Sequence, residues 1–175
     1  MLTGALALAV SLVSLPAWSI DTARINADAV KSLQALYKAE PKAAELGEKA
    51  KGILVFPKIM RAGLIIGGEG GEGALLKGGK AVSHYSQGGL SIGLQAGGQE
   101  FGYAMFFMDD EALKVLDKLD GWSVGVGPTV VVMDKGAARN LDTKTVQSGV
   151  YAFIFGQQGL MAGVALKGNK ITKIK

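Results

Sequence analysis

Cysteine is absent from the chain, which excludes disulfides, thiolate metal sites, a cysteine nucleophile and a lipidated amino-terminal cysteine. Histidine occurs once, as His84 in KAVSHYS. A hydrolytic triad needs a nucleophile and an orienting carboxylate around it, and no G-x-S-x-G signature supplies them. A metal site built from one histidine and scattered carboxylates is equally poor. Charge of one sign is scarce too: 19 Lys and Arg against 15 Asp and Glu leave +4, far from the dense positive field of a nucleic-acid-binding surface. Aromatic residues make up 7%, too few for the two girdles of an outer-membrane barrel. Asp109-Asp110-Glu111 is explained by helix capping, while Glu100, Asp134 and Asp142 stand singly near turns. The expectation is a non-enzymatic protein without metal or cofactor.

The first twenty residues, MLTGALALAVSLVSLPAWSI, carry no charge, and Asp21 is the first ionisable side chain. The apolar stretch from Ala5 to Leu15 has signal-peptide length and is short for a membrane span. Pro16 breaks it, and Ala17-Trp18-Ser19 places small residues at a cleavage position. The basic residue that normally opens a signal peptide is missing. The reading is a signal peptide at residues 1–19, cut after Ser19, and a single exported, periplasmic domain at residues 20–175.

What the chain has in abundance is apolar residues, 49%, and 26 glycines. From Asp21 to Lys51 the pattern is helical, with Ile25, Ala29, Leu33, Leu36 and Tyr37 recurring at steps of three and four. Pro41 marks the first turn of a second helix. After Gly52 come runs of four to eight β-formers separated by glycine turns: GILVFP closed by Pro57, AGLIIGGEG, then four further segments that each contain such runs. Gly97-Gly98, Gln157-Gln158-Gly159 and Gly168-Asn169 read as hairpin turns. One helix interrupts near residues 109–119, capped by Asp109 and ended by Gly121. The expected architecture is α+β: amino-terminal helices, then a glycine-rich, strongly curved antiparallel sheet of eight to ten strands.

Residues 63–79, GLIIGGEGGEGALLKGG, contain G-x-G-x-x-G at Gly68, Gly70 and Gly73. A dinucleotide fold requires a helix immediately afterwards, and only ALLK precedes the next Gly-Gly. Glu69 and Glu72 would point negative charge at a phosphate, and Gly79-Lys80 is followed by Ala81, which fails the Walker pattern. Glycines spread through strands instead mark bends, bulges and close backbone approach.

Residues 50–76, AKGILVFPKIMRAGLIIGGEGGEGALL, resemble the opening motif of the SYLF domain, with Gly63, Gly67, Gly68, Gly71 and Gly73 at its structural glycine positions. Residues 88–99, 109–116, 125–132 and 159–171 follow the family pattern in order, so the similarity spans about residues 30–175. The resemblance implies a phospholipid-binding domain that meets an anionic membrane surface through basic residues. The positions it suggests are Lys31, Lys38, Lys42, Lys49, Lys58 and Arg61. The tail adds Lys167, Lys170, Lys173 and Lys175, although four lysines near an anionic surface contribute at most about 4 kcal/mol, so apolar insertion or a pocket must add to them. Fungal relatives imply actin binding, which suits an exported bacterial chain poorly; nucleic acid is not expected. The alternatives are an envelope protein-interaction or structural module without lipid contact, with envelope protein partners, and a carrier of a small hydrophobic ligand.

Overall fold

Asp21 opens the first helix by accepting a hydrogen bond from the Arg24 amide at 3.1 Å, and α1 then runs Thr22–Ala39. This computed structural model describes residues 21–63, 66–92, 99–156, 159–160 and 166–174. The signal-peptide reading, the turns at Gly97-Gly98 and Gln157-Gln158, and Lys175 lie outside the described residues. The apolar stripe of α1, with Ile25, Ala29, Leu33 and Leu36, is its buried face. Glu40 is extended, Pro41 takes the first helical position, and α2 follows as Pro41–Lys49. That break keeps Lys31, Lys38, Lys42 and Lys49 from forming one row.

The strands are fewer and longer than the punctuation suggests. β1 (Gly52–Gly63) runs straight through Pro57, because the ladder slips there, between Val55 and Lys58 on one side and Phe56 and Ile59 on the other. A bulge is where a residue without an N–H fits a sheet. AGLIIGGEG is not one strand but the bend of a hairpin: Gly63, at φ +126°, pairs with Gly67, and β2 (Ile66–Lys77) runs back along β1. β3 (Lys80–Ile92) carries KAVSHYS and GGLSI in one strand and pairs antiparallel with β2. β4 (Gln99–Phe107) returns on the other side of β1.

Asp109 then caps α3 (Asp110–Leu113) by accepting from the Ala112 amide at 2.8 Å, and a 3-10 turn, Lys114–Asp117, completes the helix expected near 109–119. β5 (Trp122–Ser123) and β6 (Val130–Met133) follow. A second inserted helix, α4 (Lys135–Asn140), was not anticipated from the sequence; Asp134, read only as a turn acid, caps it through the Ala137 amide. β7 (Val150–Gly156), β8 (Gly159–Leu160) and β9 (Lys170–Lys173) complete one nine-stranded sheet. The strand order is β5-β9-β3-β2-β1-β4-β7-β6, with β8 paired to β7.

One pair departs from the antiparallel expectation: β6 lies parallel to β7. Parallel neighbours need a crossover rather than a hairpin, and the chain through α4 supplies it.

The sheet is strongly curled, and one contact proves it. Five strand spacings separate β4 from β5 in the order, about 24 Å in a flat sheet. Yet the rings of Phe107 on β4 and Trp122 on β5 stand 6.0 Å apart. Inside the curl a cluster gathers Leu54, Phe56, Tyr85, Phe101, Tyr103 and Ile154 with Val115 and Leu116 of the 3-10 turn. A second cluster lies on the outer face, where Ile53, Val55, Ala74, Ala104, Phe106 and Phe153 meet the stripes of α1 and α2. Alternate residues of each strand therefore serve two cores, which explains apolar runs such as ILVF that lack period-two alternation.

Candidate functional site

The interior of the curl is apolar except for one polar layer. Arg61 on β1 and Glu69 on β2 are cross-strand partners, with side chains 11% and 1% exposed. Arg61 donates to Glu69 from Nε at 2.7 Å and again from Nη2, and its guanidinium stacks 5.0 Å from the Phe101 ring centre. The other carboxylate oxygen accepts from Gln87 Nε2 at 3.1 Å and from Asn169 Nδ2 at 2.6 Å. Glu69 thus ties β1, β2, β3 and the turn before β9 at one level. Tyr103 lies close by: burial, and then the Glu69 charge, push its phenol well above the usual value. Among the described residues its hydroxyl and Gln87 Oε1 have no hydrogen-bond partner.

This placement separates Arg61 from the other candidate lipid-binding residues, since its charge is committed inside the sheet. Lys49 donates to the carbonyl of Thr143 at 2.6 Å, which fixes α2 to the loop after α4. Lys58 faces Glu100 at 3.4 Å. Lys167, Lys170 and Lys173 are exposed on the β9 side, where Lys173 lines a groove with Lys77, Lys114, Asp110 and Asp117. Lys31 and Lys38 are exposed on α1. The candidates therefore fall into separate groups rather than one patch. His84 contacts Asn26 on α1 through Nε2 at 2.6 Å, a contact that anchors the helix to the sheet.

Lys42 belongs to a formed site. Where α1 ends and α2 begins, a cleft of about 750 Å³ opens between the helices, α4 and the ends of β7 and β8. That lies within the volume range of small-molecule sites. Leu36, Ala39, Phe155 and Leu160 give it an apolar floor. Lys42, Lys135 and Arg139 stand on its rim with one carboxylate, Glu40. Among the described residues none of the three cations lies within ion-pair distance of a carboxylate, unlike Arg24, Lys58 and Arg61. Sequence reasoning missed Lys135 and Arg139 because α4 was unrecognised; the signal available was Asp134 followed by the helix formers of KGAARN.

Among the described residues no three carboxylates or histidines converge as a metal site, and no helix is long and apolar enough to cross a membrane. Asp109 is held below the usual carboxylate range by the amides of Ala112 and Gly149, contacts that cap α3 and tie it to the start of β7.

The five structural glycines also find their places. Gly63 and Gly67 close the hairpin, while a Cβ on Gly71 or Gly73 would overlap the carbonyl oxygen of Lys58 or Val55. Gly68 faces open space on the outer side.

Residues 88–175, half of the chain, match the sequence model of the family described as Ysc84, Las17-binding protein actin regulator. No curated protein matches the chain. The matched half carries the end of β3, β4, the capped helix after Asp109 and β5 to β9, and so contributes roughly half of the curled sheet and, through Asn169, one corner of the Glu69 layer. By this match the chain belongs to the Ysc84 family, the SYLF-domain family that its motifs resemble.

Proposed function

We propose that this chain is a non-enzymatic, exported protein of the bacterial envelope that binds anionic phospholipid at a membrane surface. The observation that carries the reading is the cleft between α1, α2 and α4, with an apolar floor and three cations on its rim that pair with no carboxylate among the described residues. The apolar stripe of α1 is occupied by the sheet, so membrane insertion of that helix as an amphipathic element would require dismantling the outer core. A pocket is a source of apolar affinity that needs no such opening. Three cations near an anionic head group contribute on the order of 3 kcal/mol. Burying six methylenes of an acyl chain adds about 5 kcal/mol. Together these reach the micromolar range, before the cost of ordering the lipid.

The family description names Las17 binding and actin regulation. An exported chain meets neither, and the uncharged amino-terminal stretch supports a periplasmic location at the membrane periphery.

Sedimentation with vesicles tests the reading. The purified protein is expected to pellet with phosphatidylglycerol vesicles, less so as salt rises, and hardly with phosphatidylcholine. Changing Lys42, Lys135 and Arg139 together to Gln is expected to weaken binding about a hundredfold, from about 1 kcal/mol for each cation removed. The same change at Lys167, Lys170 and Lys173 should matter much less. Indifference to salt and to the rim variants would refute the proposal.

A further inference from the structure

The glycines of the hairpin divide into those with an internal reason and those without. Gly67, Gly71 and Gly73 have no room for a Cβ. On Gly68 the nearest atom to a Cβ would be 3.9 Å away, and on Gly88 nothing lies within 4 Å. Neither has a positive φ among the glycines that do. Glycine in a strand costs about 0.5–1 kcal/mol relative to alanine, so packing among the described residues gives these two no justification. Glycine in a strand without an internal cause points to something that approaches from outside.

What surrounds them is equally specific. Ile59, Arg61, Glu69, Tyr85 and Gln87 face the interior, so alternate positions of the same strands face outward. The register sets Met60, Gly70 and Gly88 in one row across β1, β2 and β3, and Ala62, Gly68 and Leu90 in the next. Ile66 begins β2 beyond them. Met60, Ile66 and Leu90 are 48%, 71% and 80% exposed. The result is a smooth outer platform on three paired strands, with no ionisable side chain and three large apolar ones.

We propose that this platform is the surface that lies in the interfacial layer of the bilayer. The inference rests on the membrane reading above and names the part of the protein that touches the acyl region. Two observations favour a bilayer as the occupant. The flanking cations, Lys58 and Arg24, are outnumbered by Glu100, Asp28 and Glu72, so the platform's margin offers no positive field and the attraction of this face is apolar. The platform is also continuous with the cationic cleft. That cleft shares Phe155 and Gly156 with a groove reaching Pro57, and Pro57 borders the groove at Met60. A membrane plane laid along this band meets head groups at the cleft and acyl chains at the platform. Paired strands leave no open backbone donors in that layer.

The absence of cysteine makes the test direct. Single-cysteine variants Ile66→Cys, Leu90→Cys and, in the exposed turn before β5, Leu119→Cys are labelled with a polarity-sensitive fluorophore and mixed with phosphatidylglycerol–phosphatidylethanolamine vesicles. Positions 66 and 90 are expected to shift to the blue and to be quenched by acyl-chain spin labels, and position 119 to stay aqueous. Gly88→Glu, which has room among the described residues, is expected to keep its melting curve and lose vesicle affinity about tenfold or more. Pelleting with positions 66 and 90 still in water overturns the inference and leaves the lipid-binding reading intact. Failure to pellet at all overturns both. A blue shift at 66 and 90 before vesicles are added, lost on dilution, assigns the platform to a second copy of the chain and overturns the inference. So does undiminished binding by Gly88→Glu.

Discussion

Replacing Glu69 with Gln asks whether the polar layer inside the curl is as dry as it looks. The Glu69 side chain is 1% exposed and accepts from Arg61, Gln87 and Asn169. The amide variant keeps the shape and one acceptor but leaves the Arg61 guanidinium, 11% exposed, without a counter-charge, and turns an acceptor into a donor facing donors. Removing one partner of a buried ion pair costs about 3–5 kcal/mol, because the other charge stays desolvated. For a domain of this size that lowers the melting temperature by roughly 6–20 °C. Urea unfolding followed by far-UV circular dichroism measures it. Replacing both partners, Arg61→Met with Glu69→Leu, is expected to recover most of the loss, since an apolar pair needs no desolvation. A loss below about 1 kcal/mol for Glu69→Gln would show that water reaches the pair, and the reasoning would fail. Arg61→Met alone should destabilise similarly while leaving vesicle affinity of the folded protein unchanged, which separates Arg61 from the rim cations.

Two further outcomes follow from the same geometry. Gly71→Ala drives a methyl into the carbonyl oxygen of Lys58 and should cost more than about 2 kcal/mol in urea unfolding, whereas Gly88→Ala should cost nothing or add a few tenths. Asp109→Ala removes an acceptor of the Ala112 and Gly149 amides and should cost about 1–2 kcal/mol near neutral pH. Those amides lower the Asp109 pKa, so the folded state binds its proton less tightly than the unfolded chain. The stabilisation is complete above the ordinary carboxylate value of 3.8 and fades as pH falls through the lowered folded value, so wild type and variant should converge in strongly acidic solution.

Much of this architecture can be read from the residues themselves. The Ile25–Leu36 stripe, Pro41 at a helix start and Asp109 before DEAL each act locally, and each stands where its local chemistry puts it. Strand boundaries were harder, because glycine and proline punctuate only when nothing else satisfies the backbone. Pro57 sits in a bulge and Gly88-Gly89 inside β3, where neighbouring strands supply the pairing that propensity would deny. The parallel β6–β7 pair joins residues 20 apart across α4, the convergence of Lys42 with Lys135 and Arg139 spans about 90 residues, and no short-range pattern encodes either. Arg61 shows the opposite error. In sequence it shares a basic motif with Lys58, yet in the regular strand that follows the bulge parity leaves Lys58 facing Glu100 and turns Arg61 inward towards Glu69.

The amphipathic helix and the glycine motif exchange the roles that their compositions suggest. A stripe such as that of α1 has the form of a membrane-inserting helix, but here every apolar residue in it is sequestered by the outer core. If α1 met the bilayer through that face, its four buried residues would have to leave the sheet, exposing Ile53, Val55, Ala74 and Phe106 to water at a cost of about 1.5–3 kcal/mol per large side chain. The platform needs no such opening: Met60, Ile66 and Leu90 already face outward, on strands whose backbone is paired. Where helix insertion would unfold part of the protein and platform contact would not, the lower-cost surface prevails. Vesicle binding should therefore leave amide-exchange protection in α1 unchanged and raise it only along β1–β3, and deprotection of α1 on vesicles would return the membrane contact to the helix.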